Sequence, residues 1–232
     1  MELRAKKVIV LKKNMNEDKA LQIIDSKKTG MFKTVLNRPK KKDVHIHSIK
    51  TCYECRLVVS GKYIADYYRK ATHTVTVDHN VKEIILGDGV FPARIKSGIN
   101  KALTFGHGKN KIDLQLEEHV FVNEEGRIVF DQHGKVIKFP SKIDPKNTEN
   151  YPKRLLSKNN VNVRKSEITY DTAISKLQDF LKKHIESEVR GLREEFVIQD
   201  VMEIYVPIFE ARLVGPKKVK IIRIDAIKNK IL

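Results

Sequence analysis

The feature that most constrains the fold is a pattern that occurs once in each half of the chain. Residues 16–24 and 169–177 each place apolar positions at helical spacing, and a short strand-like segment precedes each of them. The expected cap is Asn14 or Asn16 for the first helix and Thr169 or Asp171 for the second. Residues 48–55 and 200–207 follow at matching distances and are rich in residue types that favour strands. The order and spacing of these matches indicate an internal duplication.

The similarity between the two halves rests on few identical residues, so a chance resemblance between amphipathic segments is the alternative. A third match joins residues 74–86 with residues 219–232. The identical pairs are Asp18 with Asp171, Ala20 with Ala173, Tyr53 with Tyr205, Asp78 with Asp225 and, with one residue skipped, Lys82 with Lys228, Ile85 with Ile231 and Leu86 with Leu232. Two or three strands are expected after each helix, and the glycines expected to separate them are Gly61, Gly87 and Gly215.

The segment between the two halves has a different character. Residues 119–140 alternate apolar and polar positions, with turns expected at Gly126 and Gly134, and the polar residues 141–160 are typical of a linker. The sequence therefore predicts an α+β fold in which two related β-α-β-β(-β) units flank a β-rich insert, with mainly antiparallel sheets. The expected domains are 1–90 for a first basic unit, 91–145 for the insert with its Gly- and Lys-rich loop, and 146–232 for the second unit.

The positive charge is distributed unevenly along the chain. The 232 residues include 46 Lys or Arg and 29 Asp or Glu, a net charge of +17. Residues 1–112 hold 24 basic and 10 acidic residues, a net +14, whereas residues 113–232 hold 22 and 19, a net +3. This asymmetry predicts a polyanionic partner for the N-terminal half, nucleic acid first and an anionic membrane surface next. A basic surface that serves solubility alone is the simpler alternative.

The sequence predicts a cytoplasmic protein without a membrane span. The apolar run near the start, residues 8–11, is short and is followed by two lysines, so it indicates a strand and not a signal peptide. No segment reaches the roughly 18 apolar residues that cross a bilayer. The chain contains 2 cysteines, which fits a reducing compartment.

The most suggestive motif is the C-x-x-C formed by Cys52 and Cys55, which His45 and His47 precede. The flanking residues favour a strand, and no Gly, Pro or Asn lies between the cysteines to turn the chain. Residues three apart in a strand point to opposite faces and lie roughly 10 Å apart. We therefore expect two strand cysteines and not a metal or redox pair. The two histidines share a face but have no third ligand nearby.

No catalytic motif stands out. The sequence lacks the P-loop spacing, a G-x-S-x-G and an H-E-x-x-H, and its other histidines are scattered over different segments. We therefore expect a protein without enzymatic activity, cofactor or metal. An enzyme with a site assembled from dispersed histidines and carboxylates is the alternative.

Four basic stretches, at 38–42, 62–70, 94–111 and, on an expected hairpin turn, 216–220, are the candidate contacts for a polyanion. In the second stretch, Tyr63 and Tyr67 would share a strand face beside cations, an arrangement that single strands use for stacking. Packing of these tyrosines into a core is the alternative. The predicted nucleic-acid-binding residues are Arg38, Lys40, Lys41, Lys42, Lys62, Tyr63, Tyr67, Arg69, Lys70, Arg94, Lys96, Lys101, Lys109 and Lys111.

No known nucleic-acid-binding motif frames these stretches. The expected function is that of a non-enzymatic protein that associates with RNA or DNA and contacts the phosphate backbone more than the bases. The alternative is an adaptor or accessory subunit of a larger machine, whose basic face docks an acidic protein surface. Either protein would work as part of an oligomer or complex.

Overall fold

Three unusually long strands dominate the structure, which is a computed structural model. It describes residues 7–33, 39–94, 109–139, 143–159, 161–182 and 188–232. The strands are β1 (Lys7–Val10), β2 (His45–Val77), β3 (Glu83–Leu86), β4 (Gly89–Pro92), β5 (Asn110–Phe130), β6 (Asn162–Arg164), β7 (Val189–Val214), β8 (Val219–Asp225) and β9 (Lys230–Ile231). The α-helices are α1 (Glu17–Phe32), α2 (Pro152–Leu156) and α3 (Tyr170–Leu181), and 3-10 turns cover Lys41–Asp43 and Pro145–Asn147.

Seven of the strands form one sheet, and the remaining two form a hairpin. The main path of the sheet is β5-β2-β7-β8-β9, with β1 added beside β7 and β6 added beside β2. Both added strands pair in parallel, whereas β7 with β8 and β8 with β9 pair antiparallel. The antiparallel hairpin of β3 and β4 is separate. Mainly antiparallel strands with a few helices confirm the predicted α+β class.

The contacts within the chain define two compact lobes. The large lobe comprises residues 1–62, 125–182 and 196–232, and the small lobe comprises residues 63–124 and 183–195. Strands β2, β5 and β7 contribute residues to both lobes. This division therefore cuts across the long strands and differs from the consecutive segments expected from the sequence.

The two longer helices begin where the sequence predicts, because a polar side chain caps each of them. The Asn16 side chain accepts a hydrogen bond from the Lys19 amide at 3.0 Å, and Thr169 accepts one from Thr172 at 3.2 Å. Helix α1 buries Ala20 and its apolar neighbours against β7 and β8 in the large lobe. None of the helices in the described ranges is both long and apolar enough to cross a bilayer.

Glycines account for the main difference between the predicted and observed strands. Gly87, Gly134 and Gly215 lie in turns, as expected, but Gly61 lies inside β2 and Gly126 inside β5. A Cβ at Gly61 would lie 3.2 Å from the Leu177 side chain of α3 and 2.9 Å from a backbone oxygen, and one at Gly126 would lie 2.6 Å from a leucine of the same helix. These glycines thus let α3 approach two strands closely.

The third match between the halves is not reproduced in the strand pattern. Residues 74–77 are the end of the uninterrupted strand β2, whereas residues 219–225 form β8 after a turn that follows β7. Gly61 was expected to separate two strands here. Because Gly61 instead makes room for a helix, β2 continues through it and is 33 residues long in all.

We expect Gly61→Ala to lower the free energy of unfolding by about 1–3 kcal/mol, the usual cost of forcing extra volume into a packed core. The backbone oxygen of Val197 cannot yield as a flexible side chain would. Chemical denaturation measures the change. Gly30→Ala is the matched control, since a Cβ at this position in α1 meets nothing within 4 Å and the same substitution should raise stability. Equal effects of the two changes would contradict the close-packing explanation.

A buried arginine–glutamate cluster joins four strands of the large lobe. It consists of Glu54 and Arg56 on β2, Arg164 on β6, Glu210 on β7 and Arg223 on β8. Arg164 donates from Nη1 to Glu54 at 3.0 Å and from Nη2 to Glu210 at 2.6 Å, and Arg223 also contacts Glu54. Glu54 is only 2% exposed. The cluster therefore joins neighbouring strands through one buried carboxylate and charged groups around it that are only partly exposed.

Candidate nucleic-acid interface

The positive charge of the protein belongs to the large lobe. The residues of that lobe include 35 Lys or Arg and 17 Asp or Glu, a net charge of +18. The residues of the small lobe include 11 basic and 12 acidic residues, a net charge of −1. A division by lobes is thus sharper than the division into +14 and +3 halves along the sequence. The net positive charge that favours a polyanionic partner therefore lies on the large lobe.

The large lobe carries a polar groove of about 650 Å³, which we call the basic groove. It lies where β6 pairs with β2 beside the beginning of α1. Its lining residues are Lys13, Glu17, Ile49, Lys50, Thr51, Tyr53, Asn159, Val161 and Asn162. Two residues with ammonium groups, two with amides, two with hydroxyls and one with a carboxylate therefore line it.

The basic groove is assembled from distant parts of the sequence. Lys13 lies between β1 and α1, Lys50 and Thr51 lie on β2, and Asn162 begins β6. The ammonium group of Lys13 donates a hydrogen bond to the Thr51 hydroxyl at 3.0 Å, which ties the two walls together. Tyr53 is 5% exposed, and burial raises the pKa of its phenol. The groove thus offers charged and hydrogen-bonding groups and little aromatic surface.

A second, more open depression of about 680 Å³ shares Lys13 and Glu17 with the basic groove. Lys19 and Phe209 line it as well, and the Lys13 ammonium lies 5.1 Å from the centre of the Phe209 ring. Lys13 is therefore positioned by a hydroxyl on one side and an aromatic ring on the other. None of these residues was selected from the sequence, because no compact motif contains them.

The predicted loop at 38–42 lies on the large lobe and is only partly available to a ligand. Lys41 forms an ion pair with Asp25 at 2.5 Å, and this lysine followed by Lys28 lowers the pKa of Asp25 below its usual range. Lys40 and Lys42 are exposed. Lys62 lies 3.9 Å from Glu125. Arg38 lies outside the described residues.

Tyr63 and Tyr67 do not form the predicted stacking surface, because both are buried in the small lobe. The Tyr63 hydroxyl donates to Glu194 at 2.5 Å. The exposed aromatic residue on this stretch is Tyr68, which stacks on His119 with ring centres 4.5 Å apart. Strand alternation explains the difference, since the odd-numbered positions of β2 face inward here and the even-numbered ones face outward.

The predicted cations of the small lobe lie among carboxylates. Arg69 donates to Glu118 at 2.8 Å, and Arg69 followed by His73 lowers the pKa of Glu118. Arg94 pairs with Asp113. Lys70, Lys109 and Lys111 are exposed, while Lys96 and Lys101 lie outside the described residues. The predicted residues that the structure describes are therefore divided between the two lobes.

Both cysteines of the C-x-x-C motif lie on a strand, which confirms the strand interpretation. Cys52 and Cys55 are both buried thiols on β2. Cys55 packs with Tyr53 and Tyr205, whereas Cys52 lies near the arginine–glutamate cluster, where burial raises the pKa of its thiol. Over the described part of the chain, no three His, Cys, Asp or Glu side chains converge closely enough to hold a metal ion.

Comparisons with protein-family models, with curated proteins and with solved structures found no significant match to this chain.

Proposed function

We propose that the protein binds nucleic acid through the large lobe, contacts mainly the phosphate backbone, and does not act as an enzyme. The observation that carries this proposal is the concentration of a net +18 on the large lobe beside −1 on the small lobe. Phosphate charge supplies most of the non-specific affinity of nucleic-acid-binding proteins, because basic residues release condensed counterions when they bind. The basic groove adds amide and hydroxyl groups, which hydrogen-bond to phosphates, sugars and bases.

The proposal is tested by fluorescence anisotropy with labelled RNA and DNA over a series of salt concentrations. We expect the logarithm of the affinity to fall linearly with the logarithm of the salt concentration. Charge reversal of Lys40, Lys41 and Lys42 on the large lobe should weaken binding and make this slope shallower by about 1 for each phosphate that the variant no longer binds.

The matched control is charge reversal of three exposed lysines on the small lobe, Lys70, Lys109 and Lys111. It changes the total charge by the same amount, so a smaller effect than that of the large-lobe variant supports the proposed location. Equal effects would mean that only net charge matters, and the large-lobe interface would be wrong. Absence of binding at physiological salt by the unmodified protein would overturn the proposal.

A second candidate function is that of an adaptor for another protein. The observation that favours it is the set of exposed apolar side chains on the near-neutral small lobe, namely Ile85, Leu86, Val90 and Phe121, which are 53–67% exposed. Ile85 and Val90 are direct cross-strand partners on the hairpin of β3 and β4. Co-purification of a protein that survives nuclease treatment but is lost in Ile85→Asp would favour this function.

We also propose that the two α/β segments arose by duplication. The parallel pairings support it, since β1 places Val10 opposite Tyr205 while β6 places Val163 opposite Tyr53. The alignment that sets Tyr53 over Tyr205 also relates these two pairings to each other. The first strand of each segment thus pairs with the long strand of the other segment.

The helices support the same relation. Asn16 and Thr169 are aligned, and each caps its helix by accepting a hydrogen bond from the amide three residues later. The aligned residues Ala20 and Ala173 are both fully buried. Equivalent caps, buried positions and strand partners are what a duplicated unit would retain.

A further inference from the structure

The basic groove has a counterpart in the second segment of the chain, and the counterpart is filled. The alignment proposed above places Tyr170 at the position of Glu17, and Glu203 at the position of Thr51. The Tyr170 hydroxyl donates to one carboxylate oxygen of Glu203, and the Tyr205 hydroxyl donates to the other at 3.1 Å. Glu203 is only 8% exposed. A tyrosine and a buried carboxylate thus occupy the space that is open in the basic groove.

The cations of the basic groove are also missing from its counterpart. Lys13 aligns with Ser166, and Lys50 aligns with Met202. The same arrangement of strands and helix therefore exists once with the basic groove and once with a hydrogen-bonded Tyr170–Glu203 pair, where a serine and a methionine stand at the positions of the two lysines. Because the fold tolerates the closed form, packing alone does not require the open groove or its two lysines.

We infer that the basic groove binds a single-stranded segment of nucleic acid, an inference that rests on the proposed function. Lys13 and Lys50 contact phosphates, while the amides of Asn159 and Asn162 hydrogen-bond to base edges or sugars. The volume of about 650 Å³ lies in the range of sites that enclose a small ligand, and a nucleotide is of that class. A duplex keeps its bases paired and inside, whereas a single strand can lower a nucleotide into the groove.

The composition of the groove also indicates how the strand is held. Most single-strand sites stack bases on exposed aromatic rings, but Tyr53, the aromatic residue of this groove, is only 5% exposed. Phosphate contacts and amide hydrogen bonds therefore dominate the binding. Glu17 excludes phosphates from one wall and accepts hydrogen bonds from amino or hydroxyl groups. Binding in the groove is thus expected to depend strongly on salt.

The test measures anisotropy of short labelled single strands of RNA and DNA, and of duplexes of the same sequence, across a salt series. The wild-type protein should bind the single strands more tightly than the duplexes. The double variant Lys13→Ala and Lys50→Ala should lose about tenfold or more in single-strand affinity, and its salt slope should fall by roughly 1–2, since each lysine contact accounts for about 0.7–1. Lys217→Ala with Lys218→Ala is the charge-matched control outside the groove, and it should keep the single-strand preference.

A second variant closes the groove without removing its lysines. Glu17→Tyr with Thr51→Glu installs the pair found in the filled counterpart and should abolish the preference for single strands. A thermal melting curve and circular dichroism verify that each variant is folded. Ultraviolet cross-linking of a bound single strand should give adducts on peptides that contain residues 49–53 or 159–162 of the wild-type protein.

The results separate this inference from the proposed function. Suppose the wild-type protein binds nucleic acid in a salt-dependent manner, but both groove variants bind like the control pair. The groove inference is then wrong, and the proposed function stands on other surfaces of the large lobe. Equal affinity for duplexes and single strands also overturns the inference. Failure of the wild-type protein to bind any polynucleotide overturns both.

Discussion

Replacing Glu54 with alanine should lower the free energy of unfolding by about 3–5 kcal/mol, the usual effect of removing one partner from a buried ion pair. Glu54 is 2% exposed and accepts hydrogen bonds from Arg164 and Arg223, and Arg56 lies 3.6 Å from its second oxygen. Without this carboxylate, Arg164 and Arg223 keep Glu210 as a partner, and Arg56 loses the carboxylate that it contacts within the cluster. Burial already lowers the pKa of Arg56, so these cations depend on nearby negative charge.

Chemical denaturation followed by circular dichroism measures this effect. Asp25→Ala is the matched control, because Asp25 also has two basic partners, Lys28 at 2.9 Å and Lys41 at 2.5 Å, but it lies on the surface. Solvent screens that pair, so its loss should be hard to detect. If both substitutions destabilise the protein equally, burial does not set the strength of the cluster. Glu54→Gln, which keeps the shape but loses the charge, should fall between Glu54→Ala and the wild-type protein.

The features that follow from local chemistry could be predicted from the sequence. Polar caps and helical spacing correctly placed the beginnings of α1 and α3. The absence of a turn-forming residue between Cys52 and Cys55 correctly placed both on one strand. In each case neighbouring residues decide the backbone, so no knowledge of distant contacts is needed.

The features that depend on distant contacts could not be predicted in this way. A glycine in a strand-like segment is compatible with a turn or with the close approach of another element to the strand. Only the position of α3 shows that Gly61 and Gly126 allow such an approach. Tyr63 and Tyr67 share a face, as expected, but the packing of other segments decides which face is buried.

The residues of the basic groove could not be predicted from the sequence for the same reason. Lys13, Lys50 and Asn162 come together only because β6 pairs in parallel with β2 and α1 begins nearby. No spacing along the sequence signals that pairing. The charge asymmetry between the two halves reflects the difference between the lobes only in part, because the long strands contribute residues both to the lobe of +18 and to the lobe of −1.

Stability should fall steeply when the pH rises above 10, because burial raises the pKa of three tyrosines. Tyr53, Tyr63 and Tyr205 are at most 5% exposed, and burial is the main cause that raises the pKa of each phenol above its ordinary value of 10.0. Below pH 10 the folded and unfolded chains both keep these protons, so the three groups cause no change. Above pH 10 the unfolded chain loses them while the folded chain retains them, and unfolding becomes more favourable.

The expected slope is about 4 kcal/mol per pH unit for three protons, at pH values where the phenols of the unfolded chain are ionised and those of the folded chain are not. Denaturation at a series of pH values measures it, and phenolate absorbance should appear together with unfolding. Lysines also titrate in this range, so the comparison that isolates the tyrosines is between variants. Tyr63→Phe removes one of the three protons and should reduce the tyrosine contribution by a third, whereas Tyr151→Phe, at a position that is 72% exposed, should not change the slope. If Tyr63→Phe behaves like Tyr151→Phe, then Tyr63 ionises in the folded protein, and its hydroxyl is not held in the protonated form that donates to Glu194.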